Sequence, residues 1–586
     1  MNADTAFNIA SLLTEAAQKW PDRPAVIAPH RPDVLKRGEL SYRQLDQASS
    51  HFAARLIGMG VKPGARVIVM VRPGIDFITI IFGLFKAGLV PVMVDPGMGL
   101  RRMLRCLSEG RPSGMVGLPV AHLATLMAPG YFRGLKLRVT VGRRYGWGGP
   151  TLEEIMTAEG PQKGDAAAAD GSGRAAGGEL ETLAFLEKAV APEVSVKAGD
   201  LAAVLFTSGS TGPAKGVEYT HAMFQAQIEA IREGFDIREG GVDLATFPLF
   251  GLFSPALGLT SVIPDINPAK PAKADPRRIL EPVIRYSVTS MFASPTLLDK
   301  MSRFAHEHRI SLPSLKRVIS AGAPVTPRMA ASFASLMIGP AKLLTPYGAT
   351  EGVPLSYIDV DEISGKTKSM TEQGLGMCVG RPLAGVDLGI VKISDGPISS
   401  FSPDLRLPVG EIGEIVARGP MVSRSYFLRP KETGLSIIPD PTPENPENFW
   451  RRMGDVGWMD DEGRLWFCGR KAHRVRTENG TLFSIPCEAI FNNHPQVMRS
   501  ALVGVGQPGS QKPVIIIEPQ SSLKGPAWEV LVEELISLAK ANPRTIQINT
   551  FLKYRGHFPV DVRHNAKINR EKLAHWAIAE LKKGNP

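Results

Sequence analysis

Residues 204–217 read Val204-Leu205-Phe206-Thr207-Ser208-Gly209-Ser210-Thr211-Gly212-Pro213-Ala214-Lys215-Gly216-Val217. An apolar run ends at Phe206, and a stretch of hydroxyls, glycines and one lysine follows it. Glycine and proline punctuate that stretch, so it is neither a helix nor a central strand. It suits a loop whose backbone N–H groups and hydroxyls wrap an anion, with Lys215 supplying charge. Phosphate is the obvious guest. A Gly/Ser linker is the competing reading, but linkers seldom sit directly after a buried-strand pattern and rarely end in Lys-Gly. The usual P-loop places Ser or Thr after its lysine. Here Gly216 and Val217 follow Lys215, so the loop is of another kind.

Upstream of the loop, apolar periodicity alternates between helix and strand. Helices are expected over 8–20, 43–59 and 75–87, with strands over 25–28, 66–71 and 90–94. This alternation indicates a parallel α/β sheet. The most apolar stretch, residues 77–94, is broken by Gly83, Lys86, Gly88 and Pro91. A membrane helix needs about 20 largely apolar residues, so a buried helix followed by a strand is the reading. Residues 159–179 are rich in Ala, Gly, Asp and Ser, and read as a flexible surface insertion.

The bulk properties set limits. The chain has 586 residues, enough for several core-bearing units. Its 44% hydrophobic and 21% charged content is that of a globular protein. A formal net charge of +11 suits an anionic ligand or an acidic surface. No zinc-finger spacing, RNA-binding aromatic motif or basic arm points to nucleic acid. Cys106, Cys378, Cys468 and Cys487 are scattered without metal-ligand spacing, which suits a reducing compartment. The N-terminus lacks a signal-peptide pattern. The expectation is a cytoplasmic protein that does not span a membrane.

Beyond the loop, residues 221–233 look helical. Residues 245–257 are unusually aromatic, with Phe247, Phe250 and Phe253 around Gly251. They suit protein core and the wall of an apolar acyl pocket alike. A strand-like Val318-Ile319-Ser320 runs into Ala321-Gly322-Ala323-Pro324. A second run, Thr345-Pro346-Tyr347-Gly348-Ala349-Thr350-Glu351, offers a ring that can stack on a purine, a hydroxyl for a phosphate and a carboxylate for Mg²⁺. Residues 386–427 alternate in short apolar runs that suggest a small β-barrel. Two later runs are Arg451-Arg452-Met453-Gly454-Asp455-Val456-Gly457 and Phe467-Cys468-Gly469-Arg470. Asn479-Gly480 signals a hairpin, and strands over 500–505 and 514–518 precede a helix over 528–541. Near the end stands Arg563-His564-Asn565-Ala566-Lys567-Ile568-Asn569-Arg570. Taken alone, that run is also what a solvated basic tail looks like.

In this order and spacing, the motifs resemble those of the adenylate-forming superfamily of acyl-CoA synthetases, peptide-synthetase adenylation domains and luciferases. The family loop is Thr-Ser-Gly-Ser/Thr-Thr-Gly-x-x-Lys-Gly, and residues 207–216 match it throughout. The resemblance implies a fold with a large N-terminal domain, 1–469, of parallel-rich α/β sheets plus the small barrel. A smaller mobile α+β lid, 470–586, would carry a catalytic lysine. It implies ATP and Mg²⁺ as cofactors. Thr207, Ser208, Gly209, Ser210, Thr211, Gly212 and Lys215 would hold the β- and γ-phosphates. Gly322, Ala323, Pro324, Tyr347 and Gly348 would hold the adenine. Asp455 and Arg470 would fix the ribose. Thr350, Glu351 as metal ligand, and Lys567 would sit at the reacting centre. Two departures stand out: Gly251 where related acyl-CoA synthetases commonly carry His, and Ala472, after Lys471, at the usual hinge position.

Within the superfamily the chain most resembles the OleC-type β-lactone synthetases of bacterial olefin biosynthesis. The carrying residues are Phe247-Pro248-Leu249-Phe250-Gly251-Leu252-Phe253, Thr260-Ser261-Val262-Ile263-Pro264-Asp265 and the run from Thr345 to Glu351. That resemblance implies a long-chain 2-alkyl-3-hydroxy acid as substrate. The acid would be activated as acyl-AMP and closed by its own 3-hydroxyl, without CoA. It also admits assembly with other enzymes of the same pathway. A long-chain acyl-CoA or acyl-carrier-protein ligase is the rival within the class. A silent nucleotide-binding scaffold is the rival outside it.

Overall fold

A computed structural model of the chain describes residues 2–30, 33–94, 96–157, 192–206, 214–322, 325–443, 445, 447–521, 525–560 and 568–584, apart from the side chains of 96 and 248–250. The expected insertion at 159–179 lies outside the described residues.

Two large sheets and their helices form the body. The first sheet runs in the order Leu137–Thr140, Gly114–Gly117, Arg66–Met70, Val90–Val94, Leu201–Phe206, Gly216–Thr220. All its pairs are parallel except the last. Among the described residues the second has nine strands, with a parallel centre running from Pro24–Ile27 to Lys342–Ala349. Antiparallel strands close both of its ends. The expected parallel-rich α/β body is therefore present.

Helices Tyr42–Gly58 and Ile75–Lys86 share one apolar core with residues of both sheets. The first begins in a capping box, as Ser41 Oγ accepts from the Gln44 N–H and Gln44 Oε1 accepts from the Ser41 N–H. The second is apolar on every side because every side is covered. At Gly83 a Cβ would lie 2.7 Å from Phe52 Cδ1 and 2.9 Å from the Ser49 carbonyl, so only glycine lets the two helices approach this closely. Lys86 ends the helix with its side chain 4% exposed. Its ammonium is held by Asp46 Oδ1 at 2.6 Å and Ser50 Oγ at 2.8 Å.

A third, antiparallel sheet runs Met377–Cys378, Leu465–Arg470, Phe449–Met459, Gly413–Arg418, Asp387–Val391, with Ile437–Pro439 beside Phe449–Met459. The barrel expected here does not close among the described residues. Met377–Cys378 ends the sheet beside Leu465–Arg470, and Asp387–Val391 ends it beside Gly413–Arg418, with Val391 also bridging Arg406. Alternating burial identifies antiparallel strands but says nothing about whether the end strands meet.

A separate C-terminal domain follows. It contains the hairpin Val475–Thr477/Gly480–Leu482, a sheet of Val497–Val505, Lys512–Pro519 and Phe551–Lys553, and helices Ser484–Asn492, Pro526–Ala541 and Arg570–Lys582. Its two apolar cores draw only on residues from Val475 onward. Among the described residues, no helix is long and apolar enough to cross a membrane.

The aromatic segment forms the helix Pro248–Ala256. It is tied to the second sheet through Ser254 Oγ, which donates to Asp243 Oδ2 at 2.8 Å, while Ser290 Oγ donates to Asp243 Oδ1 at 2.7 Å. Burial lifts the Asp243 carboxyl to about 6. Unfolded, it ionises near 3.8, so the native state binds its proton more tightly. That stabilisation is complete below the unfolded value and is lost as pH rises through about 6. The shift amounts to about 3 kcal/mol. Asp243→Asn is expected to gain stability relative to the parent as pH rises from 4 to 7, and to hold a constant margin above pH 7. Thermal unfolding across that range checks this, and a pH-independent difference would refute it.

Candidate active site

One cavity of about 1650 Å³ lies where the sheets and the C-terminal domain meet. The strand Gly216–Thr220 organises one wall. One edge pairs with Leu201–Phe206. The other is bonded to residues 425–427, with Val217 bridging Tyr426 and the Phe427 N–H donating to the Gly216 carbonyl at 2.7 Å. Tyr219 donates its hydroxyl to the Thr350 carbonyl. Lys215, directly before this strand, is thereby brought beside the end of the Tyr347–Glu351 run.

Tyr426 is the hub that results. Its hydroxyl donates to Glu351 Oε1 at 2.6 Å. Lys215 Nζ lies 4.7 Å from its ring centroid and Arg451 Cζ 4.4 Å. Such cation–π contacts place positive charge without consuming the carboxylate. The Ser423 N–H fixes the Glu351 backbone by donating to its carbonyl at 2.7 Å. Burial, with Glu351 beside it, pushes the Tyr426 phenol upward, so it remains a donor. Lys215, Thr350 and Glu351 all line the cavity.

Tyr347 and Asp455 meet just behind the wall. Gly348 lines the cavity next to Tyr347, and Met453 and Gly454 line it next to Asp455. Tyr347 Oη donates to Asp455 Oδ2 at 2.8 Å, and Arg470 Nη1 stands 3.1 Å from Asp455 Oδ1. Asp455 and Arg470 are register partners on Phe449–Met459 and Leu465–Arg470, which explains how residues fifteen positions apart form one unit. Burial and the Asp455 carboxylate hold the Tyr347 phenol well above its ordinary range. Asp455 is thus pinned from two sides, with Arg470 on the cavity surface. Gly322 also lines the cavity.

The apolar arm is bounded by Phe247, Leu252, Phe253, Phe224 and Phe85. Phe224 packs 6.2 Å from Phe253 and 5.9 Å from Phe85, centroid to centroid. Gly251 requires a correction as a pocket residue: it faces away from the cavity. A Cβ there would lie 3.3 Å from Ala245 Cβ and 3.6 Å from Ser261 Oγ, so the residue packs against these two side chains. Phe250 is placed only by its backbone, within the helix Pro248–Ala256.

Several expected residues lie outside the described residues: Thr207, Ser208, Gly209, Ser210, Thr211, Gly212, Ala323, Pro324 and Lys567. Their described chain neighbours are at the site. Lys215 and Gly322 flank two of these gaps, and Ile568, Asn569 and Arg570 line the cavity from the C-terminal domain.

At the domain junction, Glu414 is fully buried and takes two cations. Arg452 Nη2 lies 2.7 Å from its Oε2, and Lys471 Nζ 2.8 Å from its Oε1. Lys471 also donates to the Ser394 carbonyl at 2.9 Å. His473 lines the cavity two residues later, and burial with Arg570 and Arg470 nearby lowers its pKa to about 3. It is neutral at physiological pH.

Tyr426, Tyr219, Glu414 and His473 escaped sequence reasoning, and Arg451 was read only as part of a motif. No local sequence signal marks them, because each reaches the site through contacts with residues distant in the chain.

The residues present also suit Mg²⁺. Among the described residues, no group of three or more His, Cys, Asp or Glu could hold a metal. Glu351, which lines the cavity beside Lys215 and Thr350, can combine with phosphate oxygens, which is how Mg²⁺ is commonly held.

Comparison with known proteins agrees with this arrangement. Residues 13–427 match the family model described as AMP-binding enzyme. The chain is 43% identical over 580 residues to the olefin beta-lactone synthetase of Xanthomonas campestris pv. campestris, covering 98% of each chain. It is 23% identical over 588 residues to a long-chain-fatty-acid–CoA ligase of Escherichia coli O157:H7, covering 95% of this chain and 93% of that one. Among solved structures, the amide bond synthetase McbA from Marinactinospora thermotolerans superposes with a TM-score of 0.74 at 20% identity, over 97% of this chain and 99% of that one. The chain belongs to the AMP-binding enzyme family and is an ATP-dependent, acyl-adenylate-forming ligase.

Proposed function

We propose that the enzyme activates a long-chain 2-alkyl-3-hydroxy acid and closes it to a β-lactone. The observation that carries this reading is the size and lining of the cavity. At about 1650 Å³ it exceeds the roughly 300–1,000 Å³ of an ordinary ligand pocket. It has a charged end at Lys215 and Glu351 and an aromatic end at Phe247 and Phe253. A nucleotide and a branched, two-chained acid can share it.

The first step is attack of the acid's carboxylate oxygen on the α-phosphorus of ATP, with pyrophosphate leaving in line. Lys215 and the loop from Thr207 to Gly212 hold the β- and γ-phosphates. Thr350 and Lys567 stabilise the charge that builds on the α-phosphoryl oxygens. Tyr426 holds Glu351 toward those oxygens. Asp455, fixed by Tyr347 and Arg470, orients the ribose. When bound at Glu351, Mg²⁺ supplies charge neutralisation at the phosphates.

In the second step the 3-hydroxyl oxygen of the same molecule attacks the acyl carbon. The bond from that carbon to the AMP oxygen breaks, and the hydroxyl proton is lost as AMP leaves. Oxygen and carbon belong to one bound molecule, so proximity supplies much of the advantage. The position where related enzymes carry His is Gly251, packed away from the cavity. The usual hinge position carries Ala472, and Lys471 before it is engaged with Glu414. Both features suit an enzyme that delivers no thiol. We assign residues 470–586 as the lid that carries Lys567 to the site.

With Mg·ATP and a racemic 2-alkyl-3-hydroxy acid, and without CoA, the enzyme is expected to release β-lactone, AMP and pyrophosphate. Thioester formation from a plain fatty acid plus CoA, with no lactone from the hydroxy acid, would refute the lactone reading. Lys567→Ala should abolish acyl-adenylate formation, measured as pyrophosphate release, and an unaffected rate would show that another lysine serves. Tyr426→Phe removes one hydrogen bond to Glu351, worth about 1–1.5 kcal/mol. It should therefore slow pyrophosphate release about tenfold with the thermal unfolding temperature little changed. A parental rate would remove Tyr426 from the mechanism.

A further inference from the structure

We propose that the face formed by helices Leu100–Glu109 and Pro119–Leu126 docks on an anionic lipid bilayer, with the cavity opening toward it. Three observations meet on this face.

The first is exposed apolar surface. Val120 is 69% exposed, Met127 79% and Tyr131 58%, and Leu100, Leu123 and Leu126 are exposed beside them. The turn Pro129–Tyr131 packs against both helices, so these side chains form one patch. Clustered exposed apolar residues mark an interaction surface, whereas single ones need no explanation.

The second is charge. Between Leu100 and Tyr145 stand nine Lys and Arg residues and a single acid, Glu109, a net +8 within a chain of net +11. Glu109 is engaged by Arg105 at 3.2 Å and Arg429 at 2.6 Å. Arg101, Arg105, Arg133 and Arg143 are exposed in this stretch, as is Arg144, which pairs with Glu154 at 3.2 Å. Basic side chains interleaved with protruding apolar ones suit the headgroup and acyl boundary of an acidic leaflet.

The third is continuity with the cavity. Met98, Met103, Leu118 and Val120 line it. Val120 is both cavity wall and strongly exposed, so the cavity reaches the surface at this patch. A long-chain acid partitions into a bilayer, and an entrance seated there spares its chains a passage through water. The choice of lipid as occupant rests on the long-chain substrate proposed above. Since no described helix is long and apolar enough to cross a bilayer, the contact is peripheral.

The test is co-sedimentation of the full chain with vesicles, without ATP or acid, so it stands or falls apart from the reaction. The chain is expected to bind vesicles of phosphatidylglycerol and phosphatidylcholine in equal parts, to leave pure phosphatidylcholine, and to lose binding as salt rises. Arg101→Glu combined with Arg133→Glu and Arg143→Glu should weaken binding about tenfold or more, as should Leu123→Ser with Met127→Ser. Both variants should retain parental turnover of a short, water-soluble hydroxy acid, which shows that they fold. Absence of binding to the acidic vesicles, equal binding by the variants, or variants that lose association with another protein but not with vesicles would each overturn the proposal.

Discussion

The strand Gly216–Thr220 is hydrogen-bonded along both edges, and the active site depends on that double pairing. On one side it belongs to the first sheet through Leu201–Phe206. On the other it is stitched to residues 425–427, and Tyr219 reaches across to the Thr350 carbonyl at the end of the second sheet. Three separately folded layers are thereby fixed within one strand's length of each other. The ammonium of Lys215, the carboxylate of Glu351 and the phenol of Tyr426 converge because their backbones have no other register to adopt. A one-residue slip would turn Val217 and Tyr219 to the opposite face and dissolve the arrangement.

The same logic governs the domain junction. Glu414, Arg452 and Lys471 form a buried network that joins the third sheet to the first residues of the C-terminal domain. Breaking one partner of such a network is costly because it strands buried charge. The junction therefore has a defined geometry rather than a loose tether. Arg470, immediately before Lys471, is held in turn by Asp455. The Asp455–Arg470 pair and the junction are parts of one continuous path of ion pairs and adjacent residues.

Much of this site is legible in the sequence, for a physical reason. Residues that wrap a phosphate or lie against a purine must be small, hydroxylated or charged within a short contiguous run, so the loop at Thr207 and the runs ending in Glu351, Asp455 and Arg470 stand out locally. The alternation of helix and strand follows from periodicity, and the apolar helix Ile75–Lys86 reads as buried because Gly83 and Lys86 interrupt it. What the sequence hides is pairing between distant strands. Tyr426 acquires its place only through its bridge to Val217, and Glu414 through side chains 38 and 57 residues away. Gly251 illustrates the converse. Its neighbourhood looks like an acyl pocket, but on a helix the residue between Phe250 and Leu252 can point elsewhere, and here it faces Ala245 and Ser261. The open edges of the third sheet, expected to close as a barrel, are invisible for the same reason.

The central claim is that one molecule supplies both the activated carboxyl and the attacking hydroxyl. Labelling both carboxyl oxygens of the 3-hydroxy acid with ¹⁸O tests it most directly. Attack of carboxylate on the α-phosphorus followed by ring closure through the hydroxyl predicts one ¹⁸O in the released AMP and one ¹⁸O in the lactone, confined to its carbonyl. A lactone that retains both labels, with unlabelled AMP, would mean that the hydroxyl was activated and the carboxylate did the displacing, and would contradict the account.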